Sequence, residues 1–201
     1  MVASPTSGRP SKIKALAIAS STGGPQALSD LLKSLRGKLD HIPVFITQHM
    51  PASFTPILAQ NLSRVSGMDC HEAKDGEMVK PGVVYVAPGD YHMIVEYTLK
   101  GNILRLSQEA PVNFCRPSAD PMFYTLAAVY KEKLLAVVLT GMGSDGLNGA
   151  KIIVSVGGHV IVQDEETSVV WGMPKAVAEA NLATAIIPLP QIPLYITRAL
   201  A

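Results

Sequence analysis

Short runs of consecutive apolar residues alternate along this chain with stretches whose apolar positions recur every three or four residues. The first run, Ile13 to Ala19, carries no charge after Lys14 and stops at Ser20, Ser21, Thr22, Gly23 and Gly24, as a buried parallel strand does when it enters a turn. Pro25 fits a first helical turn. Ala27, Leu28, Leu31, Leu32 and Leu35 then share one face of a helix over 26–35, which Gly37 closes. The unit repeats with a strand from Ile42 to Thr47 and a helix from Phe54 to about Val65.

Further strands are expected at Val83–Ala87, Leu134–Thr140, His159–Gln163 and Thr184–Ile187, and helices at Pro121–Tyr130, Leu147–Val156, Pro174–Ala180 and Ile192–Leu200. One stretch breaks the rhythm: His92–Thr98 and Ile103–Gln108 flank Leu99, Lys100, Gly101 and Asn102, which reads as an antiparallel hairpin at a sheet edge. Strand–helix alternation implies right-handed crossovers. The expected fold is therefore α/β: a doubly wound, mostly parallel sheet with helices on both faces and an antiparallel edge hairpin. With no internal repeat or linker, residues 12–201 read as one domain behind a flexible Pro/Ser/Gly leader at 1–11.

Composition narrows the function. The 201 residues are 48% hydrophobic and 16% charged, which suits a sheet buried on both faces. A net charge of +1 from 17 basic and 16 acidic residues leaves no basic stripe for nucleic acid. Cys70 and Cys115 lie far apart without a CxxC or Cys/His cluster, so they read as two thiols and not as a metal site; no cofactor is implied. The leader has no apolar core of a signal peptide, and the longest apolar runs have strand length. Neither secretion nor membrane insertion is expected, and the cytoplasm is the expected location.

Ligand sites of doubly wound sheets form beyond the carboxyl ends of the strands. Three turns there carry chemistry: Ser20-Ser21-Thr22-Gly23-Gly24, Thr47-Gln48-His49-Met50-Pro51, and Gly141-Met142-Gly143-Ser144-Asp145-Gly146. A hydroxyl needs an imidazole to take its proton, and the imidazole needs a carboxylate to fix its tautomer, so Ser21, His49 and Asp145 read as a catalytic triad. Singly, each has a structural reading: a helix-capping serine, a hydrogen-bonded histidine, an aspartate forming its own turn. Their common address after three strands is what favours catalysis. Backbone N–H groups of the Gly141–Gly146 turn are candidates for an oxyanion hole.

At these residues the chain resembles the catalytic domain of the chemotaxis protein-glutamate methylesterases, the CheB family. The blocks are SSTGGP at 20–25, TQHMP at 47–51, VAPGDYHM at 86–93, FCRPSAD at 114–120, LTGMGSDG at 139–146 and VVWGMPKA at 169–176. The resemblance implies Ser21 as nucleophile, His49 as general base and Asp145 as orienting carboxylate, with Thr22 beside the histidine and the Met142 N–H on the oxyanion. It also implies hydrolysis of glutamyl methyl esters on methyl-accepting chemotaxis receptors, with deamidation of receptor glutamines. Two departures stand out. Ser20 directly precedes Ser21, where the family commonly has a small residue without a hydroxyl. The family's phosphorylatable receiver domain finds no room in this chain, which therefore reads as an excised or a stand-alone catalytic domain.

The loops around Pro88-Gly89-Asp90, His92 and Asn113–Ser118 are candidate walls of a shallow substrate groove. Arg116 could meet acidic groups on the receptor, although structural ion pairs or caps are the expected role of Arg116 and Asp120. His92, Trp171 and Met173 read as structural or packing residues. Two rivals remain. A nucleotide-binding turn at STGGP fails for want of GxGxxG, of GK[ST] and of an acidic residue at the second strand end. A receptor-binding module of the same fold without catalysis is opposed only by the presence of all three triad residues.

Overall fold

A computed structural model describes residues 12–201; the leader expected at 1–11 lies outside them. The chain begins with β1 (Ala15–Ser20), α1 (Gly24–Ser34), β2 (Val44–Gln48), α2 (Thr55–Ser66), β3 (Asp69–Glu72) and β4 (Val83–Val86). After the hairpin β5 (His92–Thr98) and β6 (Gly101–Ser107) come α3 (Ala119–Tyr130), β7 (Leu134–Val138), α4 (Leu147–Ser155), β8 (His159–Gln163), α5 (Met173–Glu179), β9 (Ala185–Ile187) and α6 (Ile192–Leu200). Seven strands form one sheet in the order β3-β4-β2-β1-β7-β8-β9, and every pairing in it is parallel. The winding direction reverses at β1, which pairs with β2 on one side and β7 on the other. That places the topological switch point at the carboxyl ends of these three strands.

All six positions of β1 are buried because both faces of the sheet are covered. Leu16 and Ile18 join the core under α1, α2 and α6, with Leu28, Leu32, Leu62 and Ile196. Ala15, Ala17 and Ala19 point the other way, under α3, α4 and α5, where Phe45, Phe123, Met122 and Met173 fill the space that the alanines leave. Phe45 stacks on Tyr85 with ring centroids 5.7 Å apart.

Two expectations change. The hairpin at 92–108 is present but forms a two-stranded sheet of its own. Met93, Val95 and Leu104 pack it into the core that contains α3, and the Val95 N–H bonds the Thr125 hydroxyl. Segment 76–79 pairs with β6 through Gly76 N–H to Leu104 O and Val79 N–H to Asn102 O. The other change is β3, which the apolar pattern does not announce. It is an edge strand reading Asp-Cys-His-Glu with only Cys70 buried, so backbone pairing to β4 and not an apolar run defines it.

Candidate active site

The three turns singled out in the sequence meet at the switch point. Ser20 and Ser21, adjacent in sequence, have opposite surroundings. Ser20 is 0% exposed, and its hydroxyl donates to Gln48 Oε1 at 2.7 Å. Ser21 is half-buried, and its hydroxyl has no hydrogen-bond partner among the described residues. Its backbone is held firmly: Ser21 N–H donates to Thr140 O at 3.0 Å, and Ser21 O accepts from Gly24 N–H at 2.8 Å and Gln48 Nε2 at 2.9 Å. Gly141 packs so closely on Ser21 that a Cβ there would lie 2.8 Å from the serine Cβ. That clearance lets the β7 turn approach the β1 turn.

His49 follows β2 directly. Ser20 pairs with Gln48 in the parallel register, so Ser21 and His49 occupy the next position on strands about 4.8 Å apart. The imidazole Nε2 lies 2.6 Å from Asp145 Oδ2, and the side chain is 12% exposed. The other nitrogen, Nδ1, faces Cys115 Sγ at 3.5 Å. Burial and the nearby Asp145 charge raise the Cys115 pKa, which keeps it a thiol able to donate. His49 and Asp145 are thus joined, whereas no hydrogen bond links His49 to Ser21.

Asp145 is 2% exposed and nearly encircled by donors. Oδ2 accepts from His49 and from Ala119 N–H at 2.6 Å each. Oδ1 accepts from Ser118 Oγ at 2.6 Å, Asn113 Nδ2 and Gly146 N–H at 2.9 Å each, and Asp120 N–H at 3.3 Å. The carboxylate therefore sits on the first turn of α3, where free N–H groups and the helix dipole favour an anion. Burial by itself would raise this carboxyl. The bonds from His49, Ala119 and Ser118 outweigh it and hold Asp145 below the ordinary carboxylate range. Asp120, buried alongside, goes the other way: desolvation raises it, against the bonds from Gly149 N–H and Asn113.

The Thr22 and Met142 side chains are exposed, the latter 68%. Among the described residues neither backbone N–H has an acceptor, which leaves both free for a ligand oxygen. No cluster of three or more His, Cys, Asp or Glu among the described residues could hold a metal ion.

The remaining sequence candidates are structural. Arg116 donates to Asp90 Oδ1, Gln108 O and Glu109 O, so its guanidinium pins the loop. His92 Nδ1 accepts the Ser118 N–H, Asp120 accepts the Gly149 N–H inside α4, Trp171 donates to Gln163 O, and Met173 is buried. Missed in the sequence were Asn113 and Ser118 as partners of Asp145, Cys115 as the neighbour of His49, and Gln48 as the link between two turns. The first three lie in the loop expected to form a groove wall. Nothing local in that loop announces that it closes over a carboxylate coming from beyond β7.

A family model described as CheB methylesterase matches residues 16–196. The chain belongs to the CheB methylesterase family. It is similar to the protein-glutamate methylesterase/protein-glutamine glutaminase 1 of Paramagnetospirillum magneticum, 51% identical over 92% of this chain and 49% of that protein. It is also similar to a protein-glutamate methylesterase/protein-glutamine glutaminase of Azospirillum brasilense, 50% identical over 91% of this chain and 46% of that protein. The chain spans about half the length of these curated relatives. The fold is that of the Thermotoga maritima CheB methylesterase catalytic domain, with a TM-score of 0.89 and 41% identity over 94% of this chain and 99% of that one. Among the described residues, no helix of this CheB-family chain is long and apolar enough to cross a membrane.

Proposed function

We propose that this chain is the serine-hydrolase unit of a protein-glutamate methylesterase, with Ser21 as nucleophile, His49 as base and Asp145 as the carboxylate that orients it. The observation that carries the reading is the part-buried His49–Asp145 bond of 2.6 Å, next in register to a serine whose hydroxyl is free while its backbone is pinned. The substrates of the reading are glutamyl methyl esters on cytoplasmic segments of methyl-accepting chemotaxis receptors, together with receptor glutamines. Control by a receiver domain, in the part of the relatives' length that this chain does not match, belongs to the same proposal.

With its Nε2–H donated to Asp145, neutral His49 carries its lone pair on Nδ1. Ser21 Oγ attacks the γ-carbonyl carbon while its proton passes to Nδ1, displacing the weak Cys115 contact. Asp145 stays ionised and stabilises the imidazolium, as its lowered pKa requires. Negative charge on the former carbonyl oxygen meets the Thr22 and Met142 N–H groups. The C–O bond to the methoxy group then breaks, the Nδ1 proton leaves with it as methanol, and Ser21 carries a glutamyl ester. Water, deprotonated by His49, cleaves that ester and restores Ser21. For an amide the same steps release ammonia.

Fluorophosphonate labelling of wild type, Ser20→Ala and Ser21→Ala tests the assignment. Labelling is expected in the first two and not in the third; label that survives Ser21→Ala, or is missing from wild type, sinks it. Methanol release from methylated receptor then tests the substrate. A wild type that binds receptor but neither labels nor releases methanol would point to the binding module instead.

A further inference from the structure

Gln48 lies at the end of β2 and, although polar, is only 2% exposed. Its amide is fully used. Oε1 accepts the Ser20 hydroxyl at 2.7 Å, and Nε2 donates to Ser21 O at 2.9 Å and to His49 O at 3.0 Å. One side chain therefore ties together the backbone carbonyls of the two residues assigned as nucleophile and base. The volume it fills is kept open by a missing side chain: a Cβ on Gly24 would lie 2.0 Å from Gln48 Oε1 and 2.8 Å from Ser20 Cβ.

The consequence follows from peptide geometry. In a planar trans peptide the C=O and the next N–H point in opposite directions. Ser21 O is drawn inward by Gln48 Nε2 and by Gly24 N–H, so the Thr22 N–H of the same peptide points outward, where it has no acceptor among the described residues. We propose that Gln48 is a positioning residue of the esterase reaction, whose amide sets the Ser21–Thr22 peptide so that the Thr22 N–H faces the developing oxyanion. The bond to His49 O holds the base-bearing turn in the same frame, and the Ser20 hydroxyl anchors the amide from below. This inference rests on the reading of Ser21 and His49 as nucleophile and base.

The test compares wild type, Gln48→Glu, Gln48→Met, Ser20→Ala and Ser21→Ala with p-nitrophenyl acetate, a substrate too small to engage a protein-binding groove. Gln48→Glu keeps length and an acceptor for Ser20 but turns both donor bonds into repulsions, whereas Gln48→Met keeps volume and removes all three bonds. Both are expected to lower kcat about 100-fold, the scale of a small misplacement at a reacting centre, with KM within about twofold of wild type. Ser20→Ala, which loosens the amide and leaves its donors in place, is expected to lower kcat about tenfold. Circular dichroism and Tm give the folded fraction of each variant. A folded Gln48 variant with wild-type kcat overturns the proposal, and so does a loss of kcat that merely tracks the unfolded fraction or appears as a raised KM. An inactive wild type, or a Ser21→Ala variant as active as wild type, overturns the esterase reading beneath it. An active wild type matched by Gln48→Glu overturns only the positioning.

Discussion

The turn after β7 and the turn after β1 treat their key side chains in opposite ways. Asp145 is gripped through its side chain, which takes hydrogen bonds from His49, Asn113, Ser118 and the first N–H groups of α3. Ser21 is gripped through its backbone, with Thr140, Gly24 and Gln48 holding the peptide while the hydroxyl is left without a partner. The contrast follows from what each group must do. A buried carboxylate stays ionised only if donors replace the water it has lost. In the proposed role of nucleophile, Ser21 must instead keep its oxygen unspent and have its position set by something else.

Substitutions that exchange these two modes of support test the contrast. The largest expected effect is on Ser21→Ala, which removes only an unpartnered hydroxyl: activity falls about a million-fold, the scale seen when a triad nucleophile is deleted, while Tm stays within a few degrees. Asp145→Asn is the converse case, because the side chain is itself bonded on every side. Esterase activity should fall about ten-thousand-fold, and chemical denaturation should show a loss of about 3–5 kcal/mol as donors to the carboxylate are left facing an amide. A stability loss for Ser21→Ala as large as that for Asp145→Asn would break the comparison.

Ser118→Ala takes away one of several donors to Asp145. A loss of about 1.5–3 kcal/mol by denaturant titration, with a smaller activity defect than that of Asp145→Asn, is the expected result. The pH dependence has a definite sign. Asp145 has its pKa lowered by folding, so its stabilisation is present above the unfolded value of about 3.9 and is lost as pH falls through the lower folded value. Tm measured against pH should therefore drop more steeply at the acid end in wild type than in Asp145→Asn. Smallest is Thr22→Ala, which changes an exposed side chain and keeps the backbone N–H; kcat should stay within about threefold of wild type.

Much of this was legible in the chain. The apolar runs and helical spacings located nearly every strand and helix, because burial on both faces leaves a continuous apolar signature. Strand β3 escaped, since an edge strand that buries only Cys70 carries almost none. The hairpin was legible as a hairpin, while its neighbours were not, because pairing to segment 76–79 and packing on α3 are long-range events. Ser21, His49 and Asp145 were singled out by their place after strands, and the structure brings their turns together and joins His49 to Asp145. Local sequence offered no way to see that Ser20 would be spent on Gln48, which makes the adjacent serines chemically unequal.

By itself, then, the sequence determined the order of elements, the parallel α/β class and the three turns that carry reactive groups, all of which depend on neighbours close along the chain. Only the tertiary structure decided which oxygen, nitrogen or N–H in those turns is spent and which is free. Asn113 and Ser118 reach Asp145 across 32 and 27 positions, and Gln48 reaches Ser21 across 27. Hydrogen-bond partners are set by distances of about 3 Å and by direction in space, and sequence separation carries no information about either.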